Sequence, residues 1–164
     1  MTSPAQSVAQ EALDLAAEIR EALGCERVTL FFRHEDGRFV SAVAEGLEGM
    51  DLDVKPGEGL AGKALEAGQS LASDEPLYDP RTLSRIRDHY TGFTTQSLLA
   101  RPVLNVRKRP VAVVQLVNAP SGRFETSHRD RLAAYDRTLR RLARRMPGQV
   151  RNVWTASAAG APSP

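Results

Sequence analysis

The sequence predicts an α+β domain built on an antiparallel sheet. Three observations carry this. The strand-like segments come in two pairs, residues 27–44 and 97–118, and do not alternate with helices. Amphipathic helical patterns bracket them at both ends of the chain. The length of 164 residues, with 41% hydrophobic and 26% charged, suits one domain that folds without a metal or disulfide.

The elements follow in chain order. Over residues 5–23, Val8, Ala12, Leu15, Ala16, Ile19 and Leu23 recur at helical spacing, with Ser3 as cap, Pro4 in the first position and Gly24 as the stop. Strands at 27–33 and 38–44 are joined by His34-Glu35-Asp36-Gly37, whose Asp-Gly ending suits a tight hairpin. Leu52 and Val54 form a short alternating run, stopped by Pro56-Gly57. Residues 60–67 read as a short helix ended by Gly68. The polar stretch 73–95 carries Pro76, Pro80 and a weak helical pattern at Leu83, Ile86 and Tyr90; so long a connection reads as a lid or binding loop. Strands return at 97–105 and 110–118 around the basic turn Arg107-Lys108-Arg109, the second apolar enough to be central in its sheet. A last helix starts near Ser127, with Ser127 and Asp130 as a capping box. Its Leu132, Tyr135, Leu139, Leu142 and Met146 are spaced like a coiled-coil seam. Residues 1–7 are expected to be a disordered start and 147–164 a flexible tail or linker.

Composition narrows the function classes. No apolar run reaches the 18 or so residues of a membrane span, and the first twenty residues carry acids and form no secretory signal, so a cytoplasmic location is expected. The single Cys25 excludes an internal disulfide and a cysteine-built zinc site. Residues 129–151 hold eight arginines against Asp130 and Asp136, a local charge of +6 in a chain of net +2. A solvated helix face is the first reading, an acidic protein partner the second, and nucleic acid is not expected.

Residues 57–64 (Gly-Glu-Gly-Leu-Ala-Gly-Lys-Ala) imitate phosphate-binding loops, but Ala64 stands where a P-loop needs Ser or Thr for magnesium, and the parallel βαβ context is missing. A tight turn and a close helix start explain the glycines better. His34, His89 and His128 are scattered without ligand spacing, so no metal is expected. No nucleophile–base arrangement can be read from spacing, so no enzyme is expected.

Three stretches in their order carry a resemblance: residues 56–64, residues 88–99 with their Thr-Gly-Phe-Thr-Thr run, and Val113-Val114-Gln115-Leu116-Val117-Asn118 followed by Phe124 and Asp130. Residues 8–146 resemble a GAF domain, and within that family the regulatory GAF domains of cyclic-nucleotide phosphodiesterases and of some bacterial adenylate cyclases. The resemblance implies terminal helices on one face of a central antiparallel sheet, with short helices and a lid loop enclosing a pocket on the other. It implies a non-catalytic sensor of a small molecule, cAMP or cGMP first, that signals as a homodimer through its terminal helices. The rival reading is a ligand-free module that dimerises and docks an acidic partner on its basic last helix.

Carried residue by residue, the ligand contacts are Leu60 and Ala61 at a helix start, Asp88, Thr91 and Thr95 in the lid, and Gln115 in the sheet. Each also has a plainer explanation: Asp88 as a cap, the threonines as turn residues, Gln115 as partner to a backbone group. The family's Asn-Lys-Phe-Asp-Glu signature is met at Asn118, Phe124 and Asp130, while its Lys falls on Ala119 and its Glu on Arg131. The position expected to stack on a base is Ala44. A bilin photoreceptor would need a lid cysteine, and a free-methionine sulfoxide reductase several cysteines; Cys25 meets neither requirement.

Overall fold

The computed structural model describes residues 4–47 and 52–146. In chain order its elements are α1 (Pro4–Leu23), β1 (Arg27–Arg33), β2 (Phe39–Ala44), β3 (Asp53–Val54), α2 (Gly59–Ala67), β4 (Leu71–Ser73), α3 (Ser84–Thr91), β5 (Leu98–Leu104), β6 (Pro110–Val117), α4 (Thr126–Ala133) and α5 (Asp136–Arg145). The strands form one six-stranded antiparallel sheet in the order β3-β2-β1-β6-β5-β4, the α+β architecture that the paired strands imply.

β6 lies between β1 and β5, where an almost unbroken apolar strand belongs, because both of its faces are covered. Ala112, Val114 and Leu116 join Val28, Leu30 and Phe32 of β1 in a core with α1, α4 and α5. On the other face Val113 and Val117 join Phe31, Leu98 and the α2 residues Leu60, Ala61, Ala64 and Leu65. The sheet therefore has two cores, with the terminal helices on one side and α2 on the other.

Several boundaries differ from the sequence reading. α1 already begins at Pro4, so residues 4–7 of the expected disordered start are helical, while residues 1–3 and the tail 147–164 lie outside the described residues. The edge strand β4 was not expected; three residues are too few for a periodic signal. The last helix is two helices, α4 and α5, parted at Ala134 and Tyr135. Its capping box is Glu125 with His128, not Ser127 with Asp130: the Glu125 carboxylate accepts the His128 N–H, and the Glu125 N–H donates to His128 Nδ1 at 2.9 Å. Leu132, Leu139 and Leu142 are fully buried within the subunit, in the same core as Val8, Leu15 and Ile19. Those leucines are thus committed to the fold and present no coiled-coil seam. Among the described residues no helix is long and apolar enough to cross a membrane.

Asn118 ends β6 in the left-handed region, with φ 59°. Asn tolerates this conformation better than most residues. Its Oδ1 accepts the N–H of Gln96 (2.6 Å) and Ser97 (3.2 Å), and its Nδ2 donates to Glu26 Oε2 (2.8 Å) and the Thr94 carbonyl (3.0 Å). All four hydrogen-bonding positions of the amide are filled, and the starts of β1 and β5 are tied to the end of β6. Asn118→Ala is expected to lower unfolding free energy by about 2–4 kcal/mol, because two backbone N–H groups lose their acceptor. Asn118→Gly should lose about 1 kcal/mol less, since it keeps the left-handed conformation without strain. Urea titration of both variants checks this, and equal losses would show that the backbone conformation contributes nothing.

Candidate functional site

The face of the sheet away from α1 receives Thr29 and Phe31 from β1, Leu98 from β5, and Gln115 and Val117 from β6, because alternate residues of a strand point to the same side. α2 covers part of this face. Its start is set by the turn at residues 55–59, where the Gly57 N–H donates to the Gly62 carbonyl at 2.7 Å. A Cβ at Gly62 would lie 2.3 Å from the Lys55 carbonyl oxygen, so this approach needs glycine. Lys63 Nζ donates to the Gly57 carbonyl at 3.0 Å. The lysine that imitates a P-loop is therefore part of the turn itself.

α3 supplies the opposite wall, and between it and the sheet lie two adjoining cavities of about 40 and 70 Å³. Both are bounded by Ser84 and Arg87 of α3, Leu98 and Gln115. The first adds Asp88, Thr91, Phe93 and Thr95; the second adds Phe31, Gly59, Leu60 and Ala61 at the start of α2. The N–H groups of that first helical turn have no acceptor within the helix.

All six residues expected at the site thus line one double cavity. The turn explanation holds for Thr91, while the Asp88 side chain caps no helix end and instead anchors the loop that follows α3. Asp88 accepts the Thr95 N–H (2.6 Å) and hydroxyl (2.8 Å), closing the loop between α3 and β5, and the Thr91 hydroxyl accepts the Phe93 N–H at 3.3 Å in a turn. Gln115 is different: its side-chain amide makes no hydrogen bond to the described residues, so it does not serve a backbone group.

Arg87, unforeseen in the sequence, is the feature the two cavities share most directly. Its guanidinium has no ion pair and no hydrogen bond among the described residues. Burial lowers its pKa, and the neighbouring Asp88 carboxylate opposes that only in part. A signal existed. Ser84, Arg87, Asp88 and Thr91 share one helical face toward the cavities, while Ile86 and Tyr90 are 61% and 82% exposed. The weak apolar pattern at Ile86 and Tyr90 therefore points outward, the reverse of a core helix, and the polar face is the inner one.

Ala44, where the resemblance expects an aromatic, is buried in the α2-side core. The ring in the first cavity is Phe93, with the Arg27 guanidinium 3.6 Å from its centroid. Behind it, Glu45 accepts the Val28 N–H at 2.8 Å and pairs with Arg20.

The remaining candidates lie elsewhere. Cys25 belongs to the core on the α1 side of the sheet, away from the double cavity. Burial, aided by Glu45, pushes its thiol up to about 11, so it is a neutral thiol at pH 7. Among the described residues no group of three His, Cys, Asp or Glu side chains could hold a metal ion.

A family model described as GAF domain matches residues 8–150. A type II free methionine-R-sulfoxide reductase from Thermoplasma acidophilum superposes with a TM-score of 0.70 at 14% identity, over 88% of this chain and 97% of that one. The GAF domain of a phosphoenolpyruvate-protein phosphotransferase from Coxiella burnetii gives 0.65 at 20% identity, over 85% and 82%. A fragment of a methyl-accepting chemotaxis protein, residues 122 to 287, gives 0.64 at 19%, over 88% and 96%. At such identities the structural matches show the fold alone; the family match covers most of the chain. The chain belongs to the GAF domain family, whose members serve as ligand-binding regulatory and sensory modules.

Proposed function

We propose that this GAF domain is a sensor that binds an anionic small molecule in the double cavity, with the anion on Arg87. The observation that carries this is the pair of polar groups, Arg87 and Gln115, standing at the junction of the cavities without partners among the described residues. An arginine held this way matches a carboxylate or phosphate, which restores the charge pairing that burial withholds. The α2 start, with the Leu60 and Ala61 amides, favours negative charge from the other side. Small-molecule sites usually measure about 300 Å³ or more. A short carboxylate or phosphate therefore suits the cavities as they stand, whereas cAMP or cGMP requires α3 to lift. α3 is built for that: of its eight residues only Ser84 is buried.

A non-catalytic role is supported by Cys25, a neutral thiol on the far side of the sheet from the cavity. Free methionine-R-sulfoxide reductases share the fold, and none of the described residues lining the cavity offers the sulfur chemistry of such an enzyme.

We further propose a homodimer, formed by charge and not by the leucine seam. The outer face of α1 presents Glu11, Asp14, Glu18 and Glu21, and that of α5 presents Arg137, Arg141 and Arg145, all exposed. The two helices lie side by side, joined by the Arg145–Glu11 ion pair at 2.6 Å. A two-fold axis would set the acidic helix of each subunit on the basic helix of the other.

Thermal unfolding against cAMP, cGMP, cyclic dinucleotides, phosphate and short carboxylates tests the sensor reading. A ligand at about 100 times its Kd adds roughly 2.7 kcal/mol, a rise of several degrees. Arg87→Gln is expected to abolish that rise; a panel without any shift, or a shift that survives Arg87→Gln, contradicts the assignment. For the dimer, sedimentation should show association that weakens as salt rises from about 0.05 to 0.5 M. A monomer at low salt contradicts it.

A further inference from the structure

A second concave surface lies at the other end of the molecule, apart from the double cavity. The tips of the β1–β2 and β5–β6 hairpins and the side of α5 enclose a groove of about 560 Å³. Val111 and Ala143, both resting on the main core, and Val106, 96% exposed at the hairpin tip, give it an apolar floor and lip. Arg33, Arg140 and Arg144 line it, against the single acid Glu35.

Among the described residues the cations here are unpaired and gathered around one concavity, whereas other unpaired cations, such as Lys55, Arg85 and Arg129, lie outside it. Arg20, Arg38, Arg81, Arg101 and Arg145 each pair with a carboxylate. Among the described residues Arg33, Arg140 and Arg144 pair with none, nor do Arg107, Lys108 and Arg109 beside them. These cations come from three separate elements, so they are more than one solvated helix face. The tip is also held in shape: Asn105 Oδ1 accepts the N–H of Arg107 (2.9 Å) and Arg109 (3.0 Å), and Lys108 takes up a left-handed φ of 63°. Arg140 Nη1 donates to the Leu104 carbonyl at 3.4 Å, joining α5 to the hairpin. His34, also in the lining, holds a buried Nδ1 without a hydrogen bond, the Asp36 Oδ1 being 3.5 Å away.

We infer that this groove docks an acidic segment of a partner protein, with carboxylates on Arg33 and Arg144 and an apolar side chain between Val106 and Ala143. Charge complementarity selects the acid, and the apolar floor selects a peptide that carries an aliphatic residue beside its carboxylates. The surface is concave, which a flat lipid surface does not match, and among the described residues no tyrosine, tryptophan or phenylalanine lines it to stack a base. This docking is independent of the ligand in the double cavity.

The test uses the full chain and a fluorescein-labelled eight-residue peptide alternating Glu with Leu, followed by anisotropy at low salt. Its analogue with Gln in place of Glu, vesicles containing phosphatidylserine, and sedimentation of the protein alone complete the set. Binding of the Glu peptide is expected, weakened about tenfold or more by Arg33→Glu with Arg144→Glu and by the Gln analogue. Both substituted residues are exposed and without an ion pair among the described residues, so an unchanged unfolding midpoint is expected for the variant. No binding, equal binding of the Gln analogue, preference for the vesicles, or self-association lost in the same variant would each overturn the inference.

Discussion

The structure depends on burying both faces of β6. A strand covered on both sides must place every alternate side chain in one of two cores, and here the terminal helices fill the first completely. On the second face α2 covers Val113 and Val117, but the strip over Gln115 is left to α3, whose inner face is polar. The cavity and its unpaired groups follow from that division. Buried polar groups without partners cost stability, so on the proposed reading the site is where this domain gives up stability for binding.

How α3 is attached gives the site its mechanics. Along the loop to β5, the Thr94 carbonyl and the N–H groups of Gln96 and Ser97 are held by Asn118, and the N–H of Thr95 by Asp88. Four consecutive residues are thereby fixed to the end of β6 or to α3 itself. At the other end the Thr82 hydroxyl donates to the Pro76 carbonyl at 2.5 Å. The helix between these anchors is mostly exposed, so a displacement by ligand would turn about held ends, and its C-terminal anchor leads straight into β5. An arginine pairing with an anion would draw α3 toward the sheet; a larger ligand would push it outward.

Much of this was legible in the sequence. The strand pairs, the central place of β6 and the close start of α2 follow from apolar alternation and from a glycine turn whose steric need is local. The six expected site residues line the two adjoining cavities, because the motif spacing fixes which loops face each other across the sheet. What was not legible depended on tertiary context. β4 is three residues at an edge, and Glu125 caps α4 through a histidine, which a search for Ser-x-x-Asp does not find. The leucines of the last helices carry a seam spacing, yet they are buried in one core with α1 and the sheet of their own subunit. Arg87 was hidden because the apolar residues beside it suggested the wrong face: Ile86 and Tyr90 look like core residues until their exposure is known.

On the proposed reading Arg87 serves a ligand and does not hold the fold. Urea unfolding of Arg87→Met in anion-free buffer tests it most directly, because methionine keeps the aliphatic stem and removes the charge. The variant is expected to be as stable as the parent, or up to about 1–2 kcal/mol more stable, since a half-buried charge without a partner among the described residues is removed. A loss of about 2 kcal/mol or more would contradict it, showing that the guanidinium supports the structure itself.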